Sequence, residues 1–252
     1  MSAPEYWAIV PAAGSGQRFG SEVAKQFQPL GDHLVAQHSL SRLLNVSCIK
    51  KIIVPCDSYS VYWPQIPAAS DSRVELVGGG SERVHSVLQG LQAIADQAAN
   101  DDWVLVHDMA RPCITSGDIN KLIAELVDHP VGGILATSVS DTLKRVAVDN
   151  IIQSTADRSL YRAAQTPQMF RYGLLVKALE TMLEEGQTPT DEASAIEYLG
   201  EQAKIIEGRR DNIKITHRED LTIAAAIMNQ QETEQCVLDM ATMCTDLVPA
   251  IS

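Results

Sequence analysis

The sequence predicts an α/β fold in which a mostly parallel, twisted sheet carries helices on both faces. Two observations support this. Short apolar runs, several rich in β-branched residues, alternate with longer segments whose apolar residues recur at helical spacing. That alternation is the pattern of βα units in a parallel sheet. Three loops of ligand-binding composition follow three of the runs: Pro11–Gly20, Gly78–Arg83 and His107–Pro112. Ligands bind such sheets outside the carboxyl ends of their strands.

In chain order, Trp7 to Val10 reads as a buried strand that empties into Pro11-Ala12-Ala13-Gly14-Ser15-Gly16-Gln17-Arg18-Phe19-Gly20. Its three glycines let backbone N–H groups approach an anion, and Arg18 and Lys25 add cations, so phosphate is the ligand class it suits. A dinucleotide fingerprint would need glycine at Phe19, and a P-loop would need a terminal Gly-Lys-Ser/Thr. Leu34 to Val46 has helical spacing. Lys51 to Val54 reads as a second strand, Val74 to Val77 as a third and Val84 to Ala95 as a helix. Trp103 to Val106 is a fourth strand. Thr115 and Asp118 have the spacing of a capping box for a helix reaching Val127, and Gly133 to Ala136 is a fifth strand.

The βα order breaks at Val139–Ile152, where Thr142 to Val148 followed by Asp149-Asn150 reads as a hairpin outside the sheet: a surface hairpin, or an arm that packs on a second subunit. The chain returns through Gln165-Thr166-Pro167-Gln168 to helices near Arg171–Glu185 and Thr190–Leu199. Lys204 to Glu207 and Asn212 to Ile215 read as two strands, and a helix from Glu219 to about Asn229 closes a single domain, residues 1–229. Residues 230–252 form an acidic tail without Lys or Arg. In it Cys236, Met240, Met243, Cys244 and Leu247 share one helical face, which packs on the core or on a second subunit.

The 252 residues are long enough for a substantial core, and a net charge of −12 argues against nucleic acid as a partner. No run approaches the length of a membrane helix, and no secretory leader is visible, so a cytoplasmic location is expected. The five cysteines have no C-x-x-C pair and read as reduced thiols. No Ser or Cys stands in a nucleophile motif, so the nucleophile in a transfer reaction would come from a substrate. Asp108, beside Arg111, is a candidate Mg²⁺ ligand, and Asp211, near Lys214, is a second. Asp191 and Glu192 read first as helix N-terminal acids. Arg18, Lys25, Arg111, Arg158 and Lys214 adjoin apolar runs or ligand loops and are expected to converge on phosphate.

Taken together, Pro11-Ala12-Ala13-Gly14-x-Gly16-x-Arg18 with Lys25-Gln26-Phe27, Gly79-Gly80-x-Glu82-Arg83-x-x-Ser86, His107-Asp108-x-Ala110-Arg111-Pro112, Asp141-Thr142-Leu143-Lys144, Gln165-Thr166-Pro167-Gln168, Thr190-Asp191-Glu192-Ala193-Ser194 and Asp211-Asn212-Ile213-Lys214 resemble the 2-C-methyl-D-erythritol 4-phosphate cytidylyltransferases. The resemblance implies a Rossmann-like sheet of the nucleotidyltransferase, glycosyltransferase-A-like kind with a protruding β-arm. It implies a transfer from CTP to methylerythritol phosphate with release of pyrophosphate, in non-mevalonate isoprenoid biosynthesis. By that likeness Arg18 and Lys25 are catalytic. Pro11, Ala12, Ala13, Gly14, Ser15, Gly16, Gly80, Ser86 and Asp108 hold the nucleotide. Arg111, Thr142, Arg158, Thr166, Thr190, Asp211 and Lys214 hold the acceptor, with Thr142 and Arg111 reaching in from the partner of a homodimer built on arm 139–152. Asp108 and Asp211 would carry Mg²⁺ or another divalent cation.

Met109 departs from the small residue usual between Asp108 and Ala110. A ribitol 5-phosphate cytidylyltransferase is the nearest alternative; it would have a Leu-Ala-Gly-Gly opening in place of Pro11-Ala12-Ala13. A catalytically silent nucleotide-binding or scaffold protein is the other, and retention of both cations and both carboxylates argues against it.

Overall fold

The computed structural model describes residues 3–14, 19–20 and 23–246. In chain order the elements are β1 (Tyr6–Ile9), β2 (Pro29–Leu30), β3 (His33–Leu34), α1 (Val35–Leu44), β4 (Ile49–Cys56), β5 (Val74–Gly78), α2 (Arg83–Gln92), β6 (Trp103–Val106), α3 (Ser116–Leu126), β7 (Gly132–Ser138), β8 (Lys144–Val146), β9 (Ile152–Thr155), β10 (Arg162–Arg171), α4 (Tyr172–Glu184), α5 (Glu192–Tyr198), β11 (Lys204–Glu207) and α6 (Glu219–Asp246). Seven strands form one sheet in the order β11-β7-β10-β6-β1-β4-β5. All its pairings are parallel except those of β10, which runs antiparallel to β6 and β7.

Alternation along the strands divides the core between two faces. Ala8, Ile52 and Leu105 face α1 and α3, whose Leu40, Leu43, Ile119 and Leu122 complete one apolar cluster. Trp7, Ile9, Ile53, Val104 and Val106 point the other way, onto Val87 and Leu91 of α2, Leu175 and Leu179 of α4, and Ile196 of α5. A third, smaller cluster seats α6 through Ala224 and Met228 against Phe19, Ala110, Cys113 and Ile215. Thr115 N-caps α3: its hydroxyl oxygen accepts the N–H of Asp118, as the spacing predicted.

The structure corrects three readings. Gln165-Thr166-Pro167-Gln168 is not a return loop; it lies inside β10, with a register irregularity between Ala164 and Gln168. Asn212 to Ile215 is not a strand: it runs as irregular chain, tied down by the Ile215 N–H to the Ala110 carbonyl at 2.8 Å. The last helix does not close at Asn229 but continues without a break to Asp246. The hairpin is present as β8 paired with β9, so its strands span 144–155 where 139–152 was read. Met240, Met243, Cys244 and Leu247, on the expected tail face, lie outside the described side chains.

Strand order reverses direction at β1, which has β4 on one side and β6 on the other. A crevice opens at such a switch point, beyond the carboxyl ends of the strands. The loops after β1, β5 and β6 all meet there.

Candidate active site

A cavity of about 390 Å³ occupies that crevice, large enough for a nucleotide-sized ligand. Pro11, Ala12, Ala13 and Gly14 form one wall, Gly80 to Arg83 with Ser86 a second, and Asp108 to Ala110 the floor; Lys25 and Lys214 contribute side chains. The first loop is braced from behind by Gln26, whose amide donates to the Ala12 carbonyl at 2.8 Å. The second is closed by Ser86, whose hydroxyl oxygen accepts the Gly80 N–H at 3.1 Å. Gly79 lets the two loops touch: a Cβ there would sit 2.4 Å from the Cβ of Ala13. Met109 is accommodated in the core, and its carbonyl accepts the Ser39 hydroxyl at 2.6 Å.

Asp108 is the electrostatic centre. It is 8% exposed and takes Lys214 Nζ at 2.6 Å on Oδ2 and Arg83 Nε at 3.0 Å on Oδ1. Arg111 Nε stands 3.9 Å from Oδ2. Burial works to raise the carboxyl, but Arg83, Lys214 and Arg111 outweigh it and hold Asp108 well below the usual carboxylate range. Burial likewise opposes the charge on Arg83, and Glu192 with Asp108 overcomes it. Lys25, in a single 3-10 turn Lys25–Phe27, donates from Nζ to the Ile215 carbonyl at 3.1 Å, one residue from Lys214.

Beneath Asp108 lies a second layer. His107 is fully buried, and its Nε2 lies 3.2 Å from the Arg111 carbonyl, which can only accept. The proton therefore sits on Nε2, and Nδ1 accepts the Thr166 hydroxyl at 3.0 Å. The same hydroxyl oxygen accepts the Asp108 N–H at 3.0 Å. Burial pushes His107 down to about 4. Protonation is thus resisted in the folded chain and free in the unfolded one, so stability falls as pH drops from about 6.5 toward about 4. Melting temperatures followed between pH 7 and 4.5 are expected to fall less steeply for His107→Gln than for the parent; equal slopes would refute the assignment.

The structure redistributes several expected site residues. Asp211 does not join Asp108: its carboxylate takes Arg209 Nε and Nη2 and Gln231 Nε2, and it does not line the cavity. Arg111 lies against its own chain's Asp108, because Asp108 to Arg111 forms one tight turn, and it donates to the Asn212 carbonyl at 2.7 Å. Thr166 is buried, with its hydroxyl proton already given to His107. Thr142 and Thr190 are exposed, and Arg158 donates to the Ser140 carbonyl; none of the three lines the cavity. Ser15, Gly16 and Arg18 lie outside the described residues. Two participants were missed. Arg83 had appeared only as the end of a glycine-rich loop, and Glu192 only as a helix-dipole acid; the ion pair between them joins residues 109 apart.

A glycine-walled cavity at the switch point of a mostly parallel sheet, where a lysine and an arginine pair with the buried Asp108 carboxylate and a second lysine stands beside them, defines a protein that handles a nucleotide's phosphates. A family model described as 2-C-methyl-D-erythritol 4-phosphate cytidylyltransferase (IspD) matches residues 6–230. A protein of that name from Pseudomonas entomophila (strain L48) is 46% identical over 219 residues, spanning 86% of this chain and 93% of its own. One from Pseudomonas fluorescens (strain SBW25) is 48% identical over the same shares. The crystal structure of the Francisella tularensis 2-C-methyl-D-erythritol 4-phosphate cytidylyltransferase (IspD) matches with a TM-score of 0.77 at 33% identity, covering 88% of this chain and 99% of that one. The chain belongs to the 2-C-methyl-D-erythritol 4-phosphate cytidylyltransferase family. Among the described residues, no helix is long and apolar enough to cross a membrane.

Proposed function

We propose that the chain transfers the cytidylyl group of CTP to 2-C-methyl-D-erythritol 4-phosphate in isoprenoid biosynthesis. An acceptor phosphate oxygen attacks the α-phosphorus of CTP. The bond from that phosphorus to the oxygen bridging it to the β-phosphate breaks, and pyrophosphate leaves with the electron pair. No protein nucleophile takes part, in keeping with Cys56 and Cys113, whose thiols burial pushes up to about 12. One observation carries the chemistry: fixed cations converge on the buried Asp108 carboxylate at the wall of a glycine-lined cavity. Lys25, with Arg18 by family likeness, faces the charge that builds on the α-phosphate. The backbone of Pro11–Gly14 and Gly80 holds the nucleotide.

We infer a dependence on Mg²⁺ or another divalent cation. Among the described residues no group of three or more His, Cys, Asp or Glu is placed to hold a metal ion alone. The donor set suits an ion carried in on the nucleotide, because Mg²⁺ typically takes one or two carboxylates and completes its shell with phosphate and water. Asp108 is that carboxylate, and the ion would neutralise phosphate charge. Asp211, held by Arg209, is not part of this set.

We further infer that the acceptor site is completed by a second copy of the chain. The β8–β9 hairpin and the turn after it expose Val148, Ile151, Ile152 and Leu160, an apolar group of the kind that a partner subunit covers. Thr142 and Arg158 stand beside it, outside the cavity of their own chain. Replacing residues 144–155 with a short Gly-Ser link is expected to give an inactive monomer by light scattering and pyrophosphate assay. A fully active monomer would contradict the shared site. The transfer itself is tested with methylerythritol phosphate labelled with ¹⁸O on its phosphate. All label should stay in the cytidylyl product, one atom bridging the two phosphorus centres; label in pyrophosphate would overturn the mechanism.

A further inference from the structure

Glu192 is the most buried carboxylate among the described residues, at 1% exposure, and it does not line the cavity. Both its oxygens nevertheless act on the cavity through Arg83, with Nη1 to Oε1 at 2.6 Å and Nη2 to Oε2 at 3.0 Å. The remaining edge of the same guanidinium, Nε, donates to Asp108 Oδ1 at 3.0 Å. A guanidinium is planar, so fixing its two terminal nitrogens fixes the direction of the third. Glu192 is itself held. It opens α5, where Asp191 accepts the Ser194 N–H at 2.9 Å, and Gln168 of β10 grips both Asp191 and the Ala193 N–H. Thr190, immediately before Asp191, donates its N–H to the Ser194 hydroxyl oxygen at 3.0 Å.

A buried ion pair adds little stability over an apolar pair of the same shape. What a bidentate pair supplies is orientation. We propose that Glu192 is a positioning residue for the transfer: it aims Arg83 at Asp108 and so couples the Thr190 segment to the nucleotide cavity. This rests on the cytidylyl-transfer reading.

Three variants test it, Glu192→Gln, Arg83→Lys and the double variant. Glu192→Gln keeps the shape and one acceptor but not the fork, and leaves Arg83 with Asp108 as its anion. Arg83→Lys keeps the charge but has no planar edge to aim. Each single variant is expected to lower kcat about tenfold or more, while the Kd for CTP, measured by calorimetry without acceptor, changes less than threefold. Because both break one arrangement, the double variant should be no worse than the poorer single one. A normal kcat in Glu192→Gln, equal losses of kcat and CTP affinity, or multiplicative losses in the double variant would each overturn the proposal. An unsubstituted chain that fails to turn over CTP with methylerythritol phosphate would instead overturn the reading on which it rests.

Discussion

Asp108→Ala is expected to lower kcat by about 10³-fold or more, the largest single effect in the site. Asp108 is the anion around which Arg83, Lys214 and Arg111 are arranged, and it is the carboxylate that an ion on the nucleotide would use. Removing it leaves the three cations unequally placed. Arg83 keeps Glu192, and Lys214 is exposed enough to turn to solvent. Arg111 has neither: among the described residues its buried Nε has no hydrogen-bond partner, and Asp108 is the one anion it pairs with. A stability loss of about 3 kcal/mol should therefore accompany the loss of activity. Asp108→Asn separates charge from shape. It fills the same space, and the account predicts nearly the same fall in kcat with a smaller fall in melting temperature. An Asn variant with a tenth or more of the parent's kcat would show that charge at this position is not required.

Lys25→Ala is expected to lower kcat by about 10²- to 10³-fold while weakening CTP binding less than tenfold. Lys25 lines the cavity and its Nζ is anchored to the Ile215 carbonyl, so the charge is fixed in place before substrate arrives. A cation aimed at charge that develops during the reaction affects the barrier more than the ground state. Calorimetry for CTP and steady-state pyrophosphate release separate the two. An unchanged kcat, or equal losses in both, would remove Lys25 from its role at the α-phosphate.

Much of the fold could be read from local pattern because three of the seven sheet strands end in loops of distinctive composition. The run Trp7 to Val10 and its glycine-rich continuation predicted both the central strand and the site beside it, and Trp103 to Val106 did the same for Asp108. β10 was not legible. A central strand is usually recognised by an apolar run, and this one carries Gln165, Thr166 and Gln168, all buried and hydrogen-bonded inside the protein. The opposite error arose at Asn212 to Ile215, where alternation resembles a strand but no neighbouring strand pairs with it. That segment instead lays Lys214 against Asp108. Asp211 misled by its nearness to Lys214, and Arg209, two residues away, holds it. Arg83 and Glu192 left no local signal because each looks ordinary in its own loop. The available sign was chemical: an arginine at the end of a glycine loop needs a carboxylate if it is to be buried there.

The measurement that tests the central claim most directly is pyrophosphate release from the purified chain with Mg²⁺, each of the four nucleoside triphosphates in turn, and either methylerythritol phosphate or ribitol 5-phosphate. Release with CTP and methylerythritol phosphate, far above every other pair, is the predicted result. Turnover only with ribitol 5-phosphate, or none with any pair, would contradict it.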